Sequence, residues 1–300
     1  MITVFGSTNL DQIGTVTRLP KPGETVAGGR FSMAPGGKGA NQALAARRAG
    51  SEVLHISAVG NDAYADLALE VLRESGVRLS HLRKVDAATG IAMIFVDAAG
   101  ENVIAILPGA NGALSPDDAE RGLVILSEGD TLLVQQEVPQ ASTRRALEIA
   151  RKTNARSVIN TAPFLPDTPM LAPLADFVIA NETEFSLLTA SPINQRDAAM
   201  QDWVKRTGRT MVVTLGAGGA CARSPKGLIV VPALGVEPVD TVGAGDTFCG
   251  YLAASLDTGY SLEDALRRAA VAGSLACLNQ GAQPSIPLKE DVDVIVKACG

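Results

Sequence analysis

Between residues 240 and 248 the chain reads Asp240-Thr241-Val242-Gly243-Ala244-Gly245-Asp246-Thr247-Phe248 and runs directly into a helical pattern. Small residues at Gly243, Ala244 and Gly245 let successive backbone N–H groups point outward at a helix N-terminus. Free donors and the positive end of the helix dipole hold an anion there. Asp246 then has two readings. An acid in the first turn of a helix complements the dipole and caps it, and taken alone that reading comes first. An acid beside an anion-holding nest is also what phosphoryl transfer to an alcohol requires. The donors stabilise charge growing on the phosphoryl oxygens, while the carboxylate, as general base, accepts the hydroxyl proton.

A second cluster, Pro35-Gly36-Gly37-Lys38-Gly39-Ala40-Asn41-Gln42-Ala43, opens another helix. Its glycines allow backbone to turn close to a ligand, and Lys38 and Asn41 carry donors suited to hydroxyl groups; a plain glycine-rich helix entry explains it equally well. Asn9 and Asp11 follow the first strand and Glu137 follows the strand ending near Gln135, at strand C-terminal ends where open α/β sheets place ligands. Convergent polar side chains there suit a polyhydroxylated substrate. Asn181 and Glu184 stand three residues apart at a helix start, a pattern that serves either a hydrated Mg²⁺ or an ordinary cap. Thr214-Leu215-Gly216-Ala217-Gly218-Gly219 reads as a turn or as a phosphate-facing loop.

Other chemistries lack their residues. Gly37-Lys38 is followed by Gly39 rather than Ser or Thr, so the Walker A pattern fails, and no dinucleotide fingerprint follows the first strand. His55 and His81 stand outside any zinc or serine-hydrolase motif, and Cys221, Cys249, Cys277 and Cys299 form no C-x-x-C pair, so all six read as structural, the thiols as buried and reduced. A net charge of −6 with 4% aromatic residues disfavours nucleic-acid partners. No apolar run approaches a membrane span and no basic leader opens the chain, so the expectation is a cytoplasmic protein with no membrane partner.

The elements that must position these residues follow from periodicity. Ile2 to Phe5 is a strand, and the Pro- and Gly-rich stretch from Ile13 to Arg30 reads as an excursion of edge strands. Val53 to Val59 reads as one strand, and Ile91 to Val96 and Asn102 to Leu107 as a hairpin turning at Asp97–Gly100. Helices are expected at Asn41–Arg48, Asp62–Glu74 and Pro116–Leu126. Strands and helices then alternate to Leu215, a hairpin covers Cys221–Val231, and helices follow at Asp246–Leu256, Ser261–Leu278 and Lys289–Lys297. Alternation of this kind predicts an α/β fold: a mostly parallel central sheet with helices on both faces, plus a small β sheet.

On the stretches GGKGANQA (Gly36–Ala43) and DTVGAGDTF (Asp240–Phe248), the chain resembles the PfkB family of carbohydrate kinases along essentially its whole length. GSTNLD, LPKPGE, GENVIAILPGAN, NETE and GAQPS support the match in order and spacing. The resemblance implies one domain over 1–300, with lid strands from about 13–30 and 91–107 that close over the sugar, and a homodimer paired through those lids. It implies phosphorylation by ATP of a sugar's primary hydroxyl, O5 in the case of ribose. Asp246 matches the catalytic base, and Gly243, Ala244 and Gly245 match the anion hole. Asn9, Asp11, Gly37, Lys38, Gly39, Asn41 and Glu137 match sugar-contacting positions, joined by Ala92 and Ile94 from the lid. Asn181, Thr214, Gly216, Gly218, Gly219 and Gly245 look like the ATP site, and Glu184 like the position that organises Mg²⁺ through water. Asp240, Val242, Ala276, Asn279, Gly281 and Ser285 match a site for a monovalent cation, usually K⁺, several serving through backbone carbonyls. The adenine pocket, near Ala270–Gly273, has no such match. Kinases of the same family acting on deoxyribose, another sugar or a nucleoside remain open on these residues, as does, at lower weight, a sugar-binding protein without turnover.

Overall fold

The computed structural model describes residues 1–299. The chain begins with β1 (Ile2–Phe5), β2 (Asn9–Val16), β3 (Gly28–Gly36), α1 (Lys38–Arg48), β4 (Val53–Ile56), β5 (Ala58–Gly60), α2 (Ala63–Glu74), β6 (Arg83–Val85), β7 (Gly90–Val96) and β8 (Asn102–Leu107). It then alternates through α3 (Pro116–Gly122), β9 (Thr131–Val134), α4 (Gln140–Thr153), β10 (Arg156–Asn160), α5 (Thr168–Leu171), β11 (Phe177–Asn181), α6 (Glu182–Thr189), α7 (Arg196–Thr207) and β12 (Thr210–Thr214). The closing elements are β13 (Ala220–Ser224), β14 (Gly227–Val231), α8 (Ala244–Asp257), α9 (Leu262–Ala276), α10 (Ala282–Ser285) and α11 (Lys289–Cys299).

The expected α/β architecture is present. An 8-stranded sheet runs in the order β14-β13-β12-β11-β10-β9-β1-β4, parallel from β4 to β12 and antiparallel at β13 and β14. β1 and β9 are buried at every residue because helices cover both faces, which is why these strands read as continuous apolar runs. Period-2 alternation splits them between two cores: Ile2, Val4 and Leu133 face one, and Phe5, Leu132 and Val134 the other. From β1 the chain moves outward to β4 and later returns on the other side through β9. The order therefore reverses between β1 and β9, and the loops leaving those strands part to form a crevice.

Two expectations need correction. The stretch read as one strand at Val53–Val59 breaks at Ser57, because β5 leaves the large sheet and pairs in parallel with β6, which the pattern did not reveal. The small sheet, order β3-β2-β7-β8, starts at Asn9 rather than near Ile13 and extends to Gly36 rather than Arg30, while 17–27 carries no strand. Asn9 and Asp11 thus begin a strand of the small sheet instead of lying in a loop. Helix ends also move: α3 stops at Gly122, where a Cβ would meet Ile56 Cδ1 at 2.7 Å, and α8 starts at Ala244, two residues before Asp246. Cys221 and Cys249 are buried free thiols as expected, Cys277 is only half-buried, and the side chain of Cys299 lies outside the described residues. Among the described residues no helix is long and apolar enough to cross a membrane.

The helix pair α1–α8 matters most for the site. Both helices are rich in Ala and Gly, and at Gly250 the backbones nearly touch. A Cβ there would lie 2.5 Å from Ala45 Cβ, 2.6 Å from the Gln42 carbonyl oxygen and 2.8 Å from Ala46 N. No flexible side chain is available to give way. Gly250→Ala is therefore expected to cost about 1–3 kcal/mol in denaturant unfolding, whereas Gly235→Ala, with open space around its Cβ, should stay within about 0.5 kcal/mol. Equal stability of the two variants would refute the close approach.

Candidate active site

Gly243 caps α8 with φ +80°, and a Cβ on it would fall 2.8 Å from Ala282 Cα, so conformation and space both require glycine. The Ala244 N–H closes the turn on the Thr241 carbonyl at 3.3 Å. Gly245 and Asp246 follow in the first turn, where N–H groups lack intrahelical acceptors, and a Cβ on Gly245 would meet nothing within 4 Å. Open space thus faces free donors, as an anion site demands.

Asp246 is buried, 8% exposed, with both oxygens engaged. Asn41 Nδ2 donates to Oδ2 at 3.0 Å and Gln42 Nε2 to Oδ1 at 2.9 Å. Gln42 also donates to Asn160 Oδ1 at 3.2 Å and accepts from Gln135 Nε2 at 2.6 Å. Gln42, Gln135 and Asn160 were not singled out in the sequence. The available signal was a Gln beside Asn41 in a helix rich in alanine.

The crevice after β1 and β9 brings the remaining polar residues together. Glu137 Oε2 accepts from Ser7 Oγ at 2.6 Å and from the Lys38 N–H at 3.0 Å, so the carboxylate sits at the α1 N-terminus. Gly39 N–H donates to Ser7 Oγ at 3.2 Å, and a Cβ on Gly39 would strike Ser7 N at 2.5 Å, which makes this glycine a packing requirement of the strand–helix approach. Gly37 has φ +90° and lies against Asn9 N. Asn9 is buried, and its Oδ1 accepts from Asn111 Nδ2 at 2.7 Å. Asn111 also brackets Thr8, accepting from its N–H at 2.9 Å and donating to its carbonyl at 3.1 Å. Asn9 is thereby left with its Nδ2 donor for a ligand. Asn111 was visible only as the end of a quoted motif.

Asp11 lies on β2 against Gly36, where any Cβ would come within 2.2 Å of its carboxylate. β2 pairs with β7 so that Asp11 stands beside Ala92 and Ile13 beside Ile94. Ala92 and Ile94 are buried, while Met93 and Phe95 between them are exposed on the opposite face. Burial, together with the charges of Glu137 and Asp246, raises the Asp11 carboxyl to about 7 against the opposing Lys38 cation. Lys38 is held above its ordinary value, chiefly by Asp246. His55 lies below this cluster, with Nε2 3.0 Å from Thr8 Oγ1, and burial pushes it down to about 4, so it is neutral and structural.

On the far side, Asn181 and Glu184 form a complete capping box for α6. Glu184 Oε2 accepts from Asn181 N–H at 3.1 Å and from Thr161 Oγ1 at 2.9 Å, and Oε1 accepts from Asn181 Nδ2 at 3.1 Å. The capping reading therefore holds. With three donors on its carboxylate, Glu184 fits a contact to Mg²⁺ through water better than direct ligation. The loop after β12 turns through Gly216 at φ +52° and Gly219 at φ +86°. Leu215 N–H donates to the Gly219 carbonyl at 2.8 Å and Gly218 N–H to the Leu215 carbonyl at 2.8 Å, and Thr214 ends the strand half-buried.

Asp240 joins two loops, accepting from the Val242 N–H at 3.0 Å and the Gly281 N–H at 2.9 Å. The carbonyls of Val242, Ala276, Asn279 and Gly281 are not acceptors of the backbone bonds that tie these loops, and Ser285 Oγ donates to the Ala282 carbonyl. The Asp240 carboxylate, the Ser285 hydroxyl and backbone carbonyls are hard oxygen donors, the chemistry that a monovalent cation takes. Among the described residues no cluster of three His, Cys, Asp or Glu side chains offers another metal site. Near the expected adenine position, a Cβ on Gly273 would lie 3.2 Å from the Ala244 carbonyl oxygen, and the glycine offers no polar side chain.

A cavity of about 430 Å³ between Ile106, Pro108, Glu137 and Pro163 adjoins the crevice. Larger ones lie elsewhere, such as that of about 670 Å³ between Arg48, Pro284 and Leu288.

Residues 1–289 match the family described as pfkB family carbohydrate kinase. The chain is 35% identical over 291 residues to a deoxyribokinase of Salmonella typhi, with 95% of each chain covered. To the ribokinase of Bacillus subtilis it is 33% identical over 295 residues, covering 98% of this chain and 99% of the other. A structure of Arabidopsis thaliana ribokinase complexed with ribose and ATP superposes with a TM-score of 0.89 at 31% identity, covering 99% of this chain and 98% of that one.

The Asp11 carboxyl gives a stability test. Its pKa is raised on folding, so between about pH 4 and its folded value the native state holds a proton that the unfolded chain has lost, and its contribution to stability falls as pH rises through that window. Asp11→Asn should therefore gain in melting temperature relative to the parent between about pH 5 and about pH 8. A difference that does not change with pH would mean that Asp11 is not crowded by Glu137 and Asp246.

Proposed function

The chain belongs to the pfkB family of carbohydrate kinases, and from that premise we propose that it transfers the γ-phosphoryl group of ATP to O5 of D-ribose, giving ribose 5-phosphate and ADP. The observation that carries this reading is Asp246: a buried carboxylate held by two amides, in the first turn of α8 with its free backbone donors and in the same crevice as Asn9, Asp11, Lys38 and Glu137.

In the proposed reaction Asp246 takes the proton of the O5 hydroxyl as that oxygen attacks the γ-phosphorus. The O5–P bond forms and the bond from phosphorus to the ADP oxygen breaks. Charge developing on the transferred group meets the N–H groups of Gly243 and Gly245, the Ala244 N–H being turned to the Thr241 carbonyl, and the dipole of α8. Asp11 and Glu137 accept from sugar hydroxyls, and the free amide N–H of Asn9 and the Lys38 ammonium donate to them. The 214–219 loop and Asn181 border the nucleotide side. Mg²⁺, when bound, neutralises phosphate charge, and Glu184 would hold it through water; a monovalent cation such as K⁺ would be held by Asp240, Ser285 and the neighbouring carbonyls, ordering the loop before α8. The small sheet carries Asp11, Ala92 and Ile94 on one face, which would cover the sugar and exclude water.

The opposite face of that sheet presents Phe31, Met33, Met93, Phe95 and Val103, all exposed and adjacent through the strand register. We infer that this apolar face pairs with a second copy of the chain. Phe95→Asp should shift the protein to the mass of a monomer in light scattering, and an unchanged mass, whether that of a monomer or of a dimer, would remove this interface.

A second reading, phosphorylation of deoxyribose, is favoured by the similarity to the Salmonella typhi deoxyribokinase. The two sugars differ by one hydroxyl, and the side chains of the crevice serve both. ADP release with ATP and Mg²⁺ on ribose, deoxyribose, fructose and adenosine, with and without K⁺, separates them. K⁺-stimulated turnover on ribose is expected, turnover confined to deoxyribose moves the specificity, and turnover on none overturns the kinase reading. Asp246→Asn should lower kcat by about 10²–10⁴-fold while ribose still binds, and unchanged turnover would take the base role from Asp246.

A further inference from the structure

Gln42 has no solvent exposure, and every polar atom of its side chain is committed. Its Oε1 accepts from Gln135, which leaves β9, so its two N–H donors must point the other way, toward Asp246 and toward Asn160 at the end of β10. The clamp is itself supported: a Cβ on Gly6, at the end of β1, would fall 2.1 Å from Gln135 Oε1, so only glycine leaves room for that amide. The acid on α8 is thus tied through one side chain to the C-terminal ends of two strands of the large sheet. The other charged or titratable groups facing Asp246 are the Lys38 ammonium on α1, the Asp11 carboxyl on β2 and the Cys249 thiol on its own helix; Glu137 and Glu184 act on Lys38.

We propose that Gln42 is a positioning residue for the general base: clamped by Gln135 and Asn160, its amide holds Oδ1 of Asp246 so that the carboxylate keeps one orientation. This rests on the reading of Asp246 as the base. A fixed amide donor favours the charged form of a buried carboxylate and turns only one way. Asn41 holds the other oxygen but also faces the crevice. Gln42 does not reach the crevice at all, and its effect should fall on the chemical step rather than on sugar affinity.

The test compares Gln42→Glu, Gln42→Leu, Gln135→Leu and Asp246→Asn, reading kcat, sugar KM, the pH dependence of kcat/KM and thermal unfolding, with ribose and ATP or whichever sugar the parent turns over. In Gln42→Glu two carboxyl groups at hydrogen-bond distance share a proton, so the acid limb of the profile should rise by about one pH unit or more. Gln42→Leu should lower kcat by about 10- to 100-fold, with sugar KM changed less than about threefold. An unmoved acid limb in Gln42→Glu, or parent-like kcat in Gln42→Leu, overturns the proposal. If neither Gln42 variant folds, Gln135→Leu, which frees the Gln42 amide to turn, must lower kcat at unchanged KM, and parent-like kcat there overturns it equally. Asp246→Asn tells the two failures apart: if it keeps turnover, the base assignment falls and the Gln42 role with it. If it is silent while the Gln42 variants behave as the parent, the positioning role alone falls.

Discussion

A carboxylate buried as far as Asp246 has to be met by donors, because taking an unpaired charge out of water costs several kcal/mol or more. Here the donors are two neutral amides on another helix, 204 and 205 residues away in the chain. They reach it only because α1 and α8 approach until backbone meets side chain at Gly250. The rest of the site follows from that contact. Gln42 carries it on to Gln135 and Asn160, and so to β9 and β10, while the N-terminus of α1 fixes Glu137 and, through Ser7, the exit of β1.

The site also concentrates negative charge. Asp11, Glu137 and Asp246 surround one ammonium, Lys38; burial first, and then the charges of Glu137 and Asp246, raise the Asp11 carboxyl to about 7, and Asp246 holds the lysine more firmly protonated. Such crowding is unfavourable to the fold and suited to a ligand rich in hydroxyl groups, which can donate to each carboxylate. Asp11 arrives from the small sheet and Asp246 from a helix of the main body, so a change in the position of that sheet would alter the charge balance as well as the access of water.

Close approach explains the glycines. Gly36 makes room for the Asp11 carboxylate, Gly37 for Asn9 and Gly243 for α10, so each motif that looks like a ligand loop in the sequence is also a place where two elements nearly touch. The packing role does not compete with a ligand role, because both ask for backbone without a Cβ. The cap at Asn181–Glu184 likewise closes α6 fully while standing at the C-terminal end of β11.

Read alone, the sequence determined the alternation of strands and helices, the parallel sheet, the nest before Asp246 and most of the polar residues of the crevice, because period-2 and period-3.6 patterns and glycine-rich turns are local properties. It also carried the family, through two stretches whose residue order leaves little freedom. It did not reveal that Asn9 and Asp11 begin a strand of the small sheet, that β5 departs to pair with β6, or that Gln42, Gln135, Asn160 and Asn111 form the hydrogen bonds around Asp246 and Asn9. Those facts depend on which distant segments meet. A glutamine in an alanine-rich helix looks the same whether it faces water or a buried carboxylate 204 residues further along the chain, and only packing of the folded chain distinguishes the two.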